Sequence, residues 1–157
     1  MTEEDGKWYH YCALMPTGHN EGAVLKGDKK YAGFRRFYYR EDGYMSLNAE
    51  SHGGITTIPL QFGKELKMNA KIQTYGKIQI AVTDGENTPL EGFDFDDCTL
   101  TPIDKNSYKV EWSKPLESLD LSQRYRLKMK LFKCDIYSYT FLDCQDTQAE
   151  KQASYRV

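Results

Sequence analysis

Alternation of apolar and polar positions is the main signal along this chain. The stretch RYRLKMKL places Tyr125, Leu127, Met129 and Leu131 on one side, and four basic residues on the other. A period of two is typical of a β-strand with one buried face and one face in water. The same alternation occurs in four further stretches: LKMNAKI, KIQIAV, YKVEW and IYSYTF.

Shorter stretches, bounded by turn residues, complete the pattern: KWYHYCAL, GFRRFYY, GYMSL and GITTIPL. We therefore expect about nine strands, with turn signals at the spacing of a sandwich. Asp42-Gly43 predicts a hairpin turn between FRRFYYR and YMSL, and TYGK and DKNS are weaker turn signals. Only SKPLESLDLSQ is expected to hold a helical turn. The predicted fold is all-β, an antiparallel two-sheet β-sandwich that is jelly-roll-like.

Composition narrows the choice of partners. Aromatic residues make up 13% of the 157 residues, with 12 tyrosines, which favours sheets. The net charge of -2 provides no global basic field, so we expect neither nucleic acid nor an anionic membrane as partner.

No apolar run approaches the ~18 residues of a membrane span. The N-terminal MTEEDGKWYHY is acidic and polar, unlike a secretory signal, and the compartment stays open.

The stretch GFDFDDC is the most conspicuous candidate for chemistry. Phe93 and Phe95 alternate with Asp94 and Asp96, so in a strand the rings would share one face and the acids the other. The acids suggest a calcium site or a catalytic pair. Calcium ligands must fold around one point, however, and an extended strand spreads them apart. We therefore interpret the stretch as architecture, with calcium as the alternative and no other cofactor expected.

The cysteines and histidines form no recognisable metal motif. Cys12, Cys98, Cys134 and Cys144 lack the close spacing of a zinc or redox pair, and we expect free thiols. If one bridge forms, it should join Cys134 and Cys144 across a hairpin. The three histidines, at positions 10, 19 and 52, would have to converge with an acid to bind a metal, which the spacing does not indicate.

The cluster FRRFYYRED is the best candidate for ligand binding. Arg35, Phe37 and Tyr39 point to one side of a strand, whereas Phe34, Arg36 and Tyr38 point to the other. Aromatic faces beside guanidinium groups suit sugars, because a ring stacks on C–H groups while polar forks bond hydroxyls. The alternative is that one of these faces is core and the other merely exposed.

Two segments, GKIQIAVTDGENTPLEGFDFDDC and YKVEWSKPLESLDLSQRYRLKMKLFKCDIYSYTF, carry a resemblance to a known family. They resemble the C-terminal β-sandwich module attached to glycoside-hydrolase-like five-bladed propellers in bacteria. Upstream, FRRFYYREDGYMSLNAESHGGITTIPLQF is similar to the beginning of that module, so the resemblance covers Phe34 to Phe141. The residues that match the family pattern are Asp84, Gly85, Pro89, Leu90, Gly92, Phe93, Asp97, Cys98, Val110, Trp112, Asp120, Leu121, Arg126, Leu127, Leu131, Asp135, Tyr137, Ser138 and Phe141.

The resemblance implies a division of the chain and a role. Residues 1–33 would be a strand and connector similar to the last propeller strand, 34–142 the sandwich module, and 143–157 a polar tail. The propeller, which carries the family's catalytic carboxylates, is missing, so no catalytic residue can be carried over. In the family the Asp-Cys element is part of the sandwich framework, which agrees with the architectural interpretation of GFDFDDC.

We therefore expect a non-catalytic accessory module that binds carbohydrate, with Arg36, Tyr38, Tyr39 and Tyr44 as the contact residues. The alternative is a purely structural domain that docks on a propeller, and a free-standing jelly-roll hydrolase or lyase is a third. An exposed aromatic row would indicate binding and a flat apolar patch docking. A deep polar cleft with shifted carboxylate pKa values would indicate an enzyme.

Overall fold

The structure is a computed structural model, and it describes residues 2–4, 7–14, 33–144 and 154–156. These residues form strands and one short 3-10 helix, with no α-helix among them. Contacts divide the chain into two compact units, Met1–Tyr44 (unit 1) and Met45–Val157 (unit 2). Each unit contains its own antiparallel sheet.

Unit 1 is a three-stranded sheet in the order β1-β2-β3. Its strands are β1 (Thr2–Glu4), β2 (Lys7–Leu14) and β3 (Gly33–Arg40). The turn expected at Asp42-Gly43 is present: the Gly43 N–H donates to the Arg40 carbonyl at 2.9 Å, and Asp42 has a φ of 50°. The expected hairpin between FRRFYYR and YMSL is wrong, because the next strand begins at Leu47 and pairs in the other sheet rather than with β3.

Unit 2 is a seven-stranded sheet built around two long strands. Its path is β10-β9-β6-β8-β7, and β4 and β5 also pair with β9. The short 3-10 helix, Leu116–Ser118, falls where the helical turn was expected. The strands are β4 (Leu47–Thr56), β5 (Leu60–Gln61), β6 (Glu65–Thr83), β7 (Thr99–Pro102), β8 (Ser107–Glu111), β9 (Arg124–Leu142) and β10 (Ser154–Arg156).

β6 and β9 each run for 19 residues and absorb two predicted strands apiece. The expected turn at TYGK is instead an irregularity within β6, where the register jumps between Ile72 and Lys77 against β9. Tyr75 and Lys133 both have positive φ at this point, 62° and 46°. A Cβ on Gly76 would lie 2.4 Å from the Lys133 carbonyl oxygen, so the close approach of the two strands requires glycine.

The core of unit 2 takes side chains from both halves of the long strands. Met68 precedes the irregularity in β6 and Ile80 follows it, yet both belong to one buried cluster. The indole N–H of Trp112, just after β8, donates to the Ile80 carbonyl at 2.8 Å and joins the two halves. Phe62, fully buried, stacks on Phe141 with ring centroids 4.3 Å apart. The predicted all-β, antiparallel, sandwich-like class is confirmed.

The alternation in RYRLKMKL places side chains as expected. Tyr125, Leu127, Met129 and Leu131 are all buried, whereas Arg124 and Lys130 are exposed. The boundary between the N-terminal connector and the sandwich module, predicted between residues 33 and 34, stays a prediction. The contacts within the structure divide the chain at a different place, after Tyr44. Most of the predicted polar tail, 143–157, lies outside the described residues, and its Ser154–Arg156 part pairs with β9.

Candidate ligand-binding site

The pairing of β2 with β3 creates two aromatic surfaces in unit 1. Directly paired residues of an antiparallel ladder point to the same side of the sheet, and neighbours along a strand point to opposite sides. We call one side the Tyr38 face, formed by the pairs Lys7–Arg40, Tyr9–Tyr38, Tyr11–Arg36 and Ala13–Phe34. The other side is the Tyr39 face, formed by the pairs Trp8–Tyr39, His10–Phe37 and Cys12–Arg35.

The Tyr38 face combines open phenol rings with cations. Tyr38 is 63% exposed and Tyr11 is 62% exposed. The rings of Tyr9 and Tyr38 lie 6.1 Å apart at a tilt of 51°. The Arg36 guanidinium lies 4.5 Å from the centre of the Tyr9 ring, and the Lys7 ammonium 4.7 Å from the centre of the Tyr38 ring. Each contact is within the range of a cation–π attraction, which orders the cation against its ring.

On the Tyr39 face the aromatic rings pack on one another. The rings of Tyr39 and Tyr44 lie 4.8 Å apart at 32°, and His10 contacts both edge-on at 5.4 and 5.5 Å. His10 Nε2 and the Tyr44 hydroxyl form a hydrogen bond. Trp8 adds an edge contact to Tyr44 at 6.4 Å. These contacts tie the turn after β3 to β2, and they give His10 a packed, hydrogen-bonded position.

The four residues predicted to contact carbohydrate are therefore divided into two pairs. Arg36 and Tyr38 lie together on one face of the sheet, whereas Tyr39 and Tyr44 lie together within unit 1 as a packed ring pair. The sequence reasoning missed Tyr9, which supplies the ring under Arg36. The alternation within KWYHYCAL could have indicated which residues share a side with Tyr9. Nothing in the sequence, however, indicated that this stretch pairs with GFRRFYYR.

The acidic stretch after β6 is a series of turns, so its interpretation as a strand is wrong. Phe93 is buried in the core, as expected. Phe95 is buried elsewhere, with the Lys130 ammonium 3.8 Å from its ring centre. The Asp97 carboxylate accepts hydrogen bonds from the Ser113 hydroxyl at 2.7 Å and the Asp94 N–H at 3.0 Å. These two donors hold the pKa of Asp97 below its usual range. Hydrogen bonds within the stretch and from Ser113 therefore hold these turns, which agrees with its interpretation as architecture.

No metal-binding group was found in the part of the chain that the structure describes: no three His, Cys, Asp or Glu side chains converge there. His19 lies outside the described residues. His52 is an exposed residue of β4 that stacks on Phe132 at 4.7 Å.

All four cysteines are free. A Cys134–Cys144 bridge across a hairpin is wrong, because the chain between them continues as β9. An extended run of ten residues separates its ends by about 30 Å.

Two shallow depressions mark unit 2. The larger, about 270 Å³, is bordered by β8 and the 3-10 helix and contains the Lys109–Glu111 ion pair at 3.0 Å. The other, about 220 Å³, runs along β4 past His52, Gly53 and Gly54. Glu111 has a pKa lowered by Lys109 and Thr101, which keeps its carboxyl ionised. A general acid at neutral pH needs a raised pKa, so this carboxyl does not provide one.

Comparisons of the chain with protein-family models, with curated proteins and with solved structures found no match. Among the described residues, no helix has the length and apolar character required to cross a membrane.

Proposed function

We propose that this chain is a non-catalytic accessory module that binds carbohydrate, and that the Tyr38 face is its binding surface. The observation that carries the proposal is the exposure of Tyr38 and Tyr11, 63% and 62%, beside Arg36 and Lys7. The accessory role rests on the resemblance of residues 34–141 to the sandwich modules of glycoside-hydrolase-like proteins.

The chemistry of the Tyr38 face suits a sugar. An exposed phenol offers an apolar ring to the C–H side of a pyranose and a hydroxyl at its edge. Guanidinium and ammonium groups donate hydrogen bonds to the hydroxyls around the sugar. Because Arg36 and Lys7 already rest against rings, part of the entropy cost of ordering them is met before binding.

The Tyr39 face has a supporting role in this proposal. Tyr39 and Tyr44 direct part of their ring area at each other, and the Tyr44 hydroxyl is engaged by His10. A ring that is already packed has less surface for a ligand. We therefore assign Tyr38 and Arg36 to ligand contact, and Tyr39 and Tyr44 to holding the β2–β3 sheet in shape.

The test is a glycan array with affinity-gel electrophoresis of the purified chain, with and without calcium. We expect retardation in at least one polysaccharide gel, and an affinity about tenfold lower for Tyr38→Ala. Tyr75→Ala is the matched control, because Tyr75 is 88% exposed but belongs to unit 2. The same loss in both variants, or no glycan bound by a folded sample, would overturn the proposal. Loss of binding on chelation would indicate a metal.

A second candidate, a structural domain that docks on a propeller, is favoured by the phenylalanines of β3. Phe34, on the Tyr38 face, is 81% exposed, and Phe37, on the Tyr39 face, is 45% exposed. Neither ring offers a hydroxyl to a sugar. Exposed apolar rings of this kind promote self-association in a separated domain. Light scattering of the wild-type chain and of the Phe34→Ser/Phe37→Ser variant tests this. A wild-type oligomer that dissociates in the variant, without glycan binding, would favour docking.

A further inference from the structure

We infer that the ligand of the Tyr38 face is an acidic polysaccharide, one whose sugars carry carboxylate or sulfate groups. This inference rests on the proposed function and specifies its ligand class. It comes from the charge of β2 and β3, from the side of the sheet on which that charge lies, and from the contacts of the cations with the rings.

The charge of the two strands differs from that of the chain. The whole chain has a net charge of -2, yet the 8 residues of β2 and the 8 residues of β3 include no acid, and the sheet's two acids, Glu3 and Glu4, are in β1. The basic residues of these two strands are Lys7, Arg35, Arg36 and Arg40. Nearby charges of one sign raise the local concentration of ligands of the opposite sign.

Most of this positive charge lies on one side of the sheet. The register of β2 and β3 places Lys7, Arg36 and Arg40 on the Tyr38 face and Arg35 on the Tyr39 face. β1 adds one acid to each face, because Glu4 pairs with Lys7 and Glu3 pairs with Trp8. The three described strands therefore place three cations and one acid on the Tyr38 face, against one cation and one acid on the Tyr39 face. The cations therefore share a surface with the two most exposed tyrosines of β2 and β3, Tyr11 and Tyr38.

Because the cations lie over the tyrosine rings, a sugar that stacks on a ring also comes close to a positive charge. The Lys7 ammonium is 4.7 Å from the centre of the Tyr38 ring, so a sugar that contacts this ring also meets the ammonium. Any sugar that stacks on this ring shares it with the cation. An anionic substituent on that sugar adds a charge-assisted hydrogen bond to the ammonium, which is roughly twice as strong as a neutral one.

Affinity gels with matched polysaccharides test the inference. Polygalacturonate is compared with its methyl ester, and dextran sulfate with dextran, so that carboxylate and sulfate are examined separately. We expect at least about tenfold tighter binding to one acidic member than to its neutral partner. We expect that preference to weaken as salt is raised to about 1 M, because exposed charges are then screened within about 3 Å.

Paired arginine variants locate the effect. Arg36→Gln should weaken binding to the preferred acidic polysaccharide by about three- to tenfold. Arg35→Gln removes the same charge one residue away, on the other face, and should change binding by less than about twofold. Lys7→Gln should resemble Arg36→Gln. Unfolding midpoints like that of the wild type would show that each variant is folded.

The possible outcomes separate the two proposals. Equal binding to acidic and neutral partners would overturn the acidic ligand and leave carbohydrate binding standing. No binding to any polysaccharide would overturn both. Equal losses in Arg35→Gln and Arg36→Gln would overturn the assignment to the Tyr38 face. A single-stranded oligonucleotide is included, because cations among aromatic rings also suit nucleic acid. Tighter binding to it than to every polysaccharide would overturn the inference.

Discussion

The core of unit 2 and the Tyr38 face of unit 1 use aromatic residues in opposite ways. In unit 2, Phe62 and Phe141 stack in the core and Trp112 bonds across it to the Ile80 carbonyl. In unit 1, Tyr11, Phe34 and Tyr38 are each more than half exposed. Burying an aromatic side chain stabilises a fold, whereas exposing it offers a surface to a partner. We therefore expect unit 2 to supply most of the stability, whereas the recognition proposed above would lie in unit 1.

Truncating a phenyl ring in each unit should give the largest contrast. Phe62→Ala removes a fully buried ring and should lower the free energy of unfolding by about 3–5 kcal/mol. Phe34→Ala removes a ring that is 81% exposed and should change it by no more than about 0.5 kcal/mol. Urea unfolding followed by tryptophan fluorescence measures both. Similar losses in the two variants would break the comparison, and Phe62→Leu replaces Phe62→Ala if the latter does not fold.

Thiol reactivity offers a second contrast between the units. Cys12 of unit 1 is exposed, whereas burial raises the pKa of Cys98 in unit 2 to about 11. Since the thiolate is the reactive form, roughly a thousandth of Cys98 is reactive at about pH 8. A thiol reagent should modify Cys12 at least about a hundredfold faster than Cys98. Cys12→Ser should abolish the fast phase and Cys98→Ser should leave it. A fast phase that survives Cys12→Ser contradicts this assignment.

The acid sensitivity of unit 2 is the smallest expected effect. The Ser113 hydroxyl and the Asp94 N–H lower the pKa of Asp97 in the folded state. A lowered folded-state pKa contributes stability above the unfolded value of about 4, and the contribution is lost as the pH falls through the lowered pKa. Asp97→Asn should therefore reduce the loss of stability between about pH 5 and pH 2. The control is Glu91→Gln, since Glu91 has an exposed side chain near Lys114. An unchanged pH dependence in Asp97→Asn would contradict the role of these bonds.

Periodicity predicted the strands because a half-buried strand must alternate. RYRLKMKL and KIQIAV have the inward residues that their pattern indicates, for instance Leu127 and Ile80. Pattern alone did not show that LKMNAKI and KIQIAV form one strand. TYGK between them has residues that are typical of turns. In the structure these residues form an irregularity at Tyr75 and Gly76 within one strand, and the strand does not end there.

The candidate site was predictable in residue type but not in geometry. FRRFYYRED indicated which side chains had the right chemistry, and alternation separated Arg36 and Tyr38 from Tyr39. The partner strand is a long-range choice that depends on the whole fold, so the contribution of Tyr9 and Lys7 emerged only from the register of β2 and β3. Phe95 gives the same lesson, because a turn rather than a strand directs its ring toward Lys130.

Hydrogen exchange, followed by mass spectrometry with and without the acidic polysaccharide that binds more tightly, polygalacturonate or dextran sulfate, tests the central claim most directly. In the free chain we expect slow exchange in β6 and β9, which pair along most of their length, and faster exchange in β2 and β3. A saturating concentration of that polysaccharide should protect residues 7–14 and 33–40 and leave β6 and β9 unchanged. Protection confined to unit 2, or no protection of β2 and β3, would contradict the assignment of recognition to unit 1.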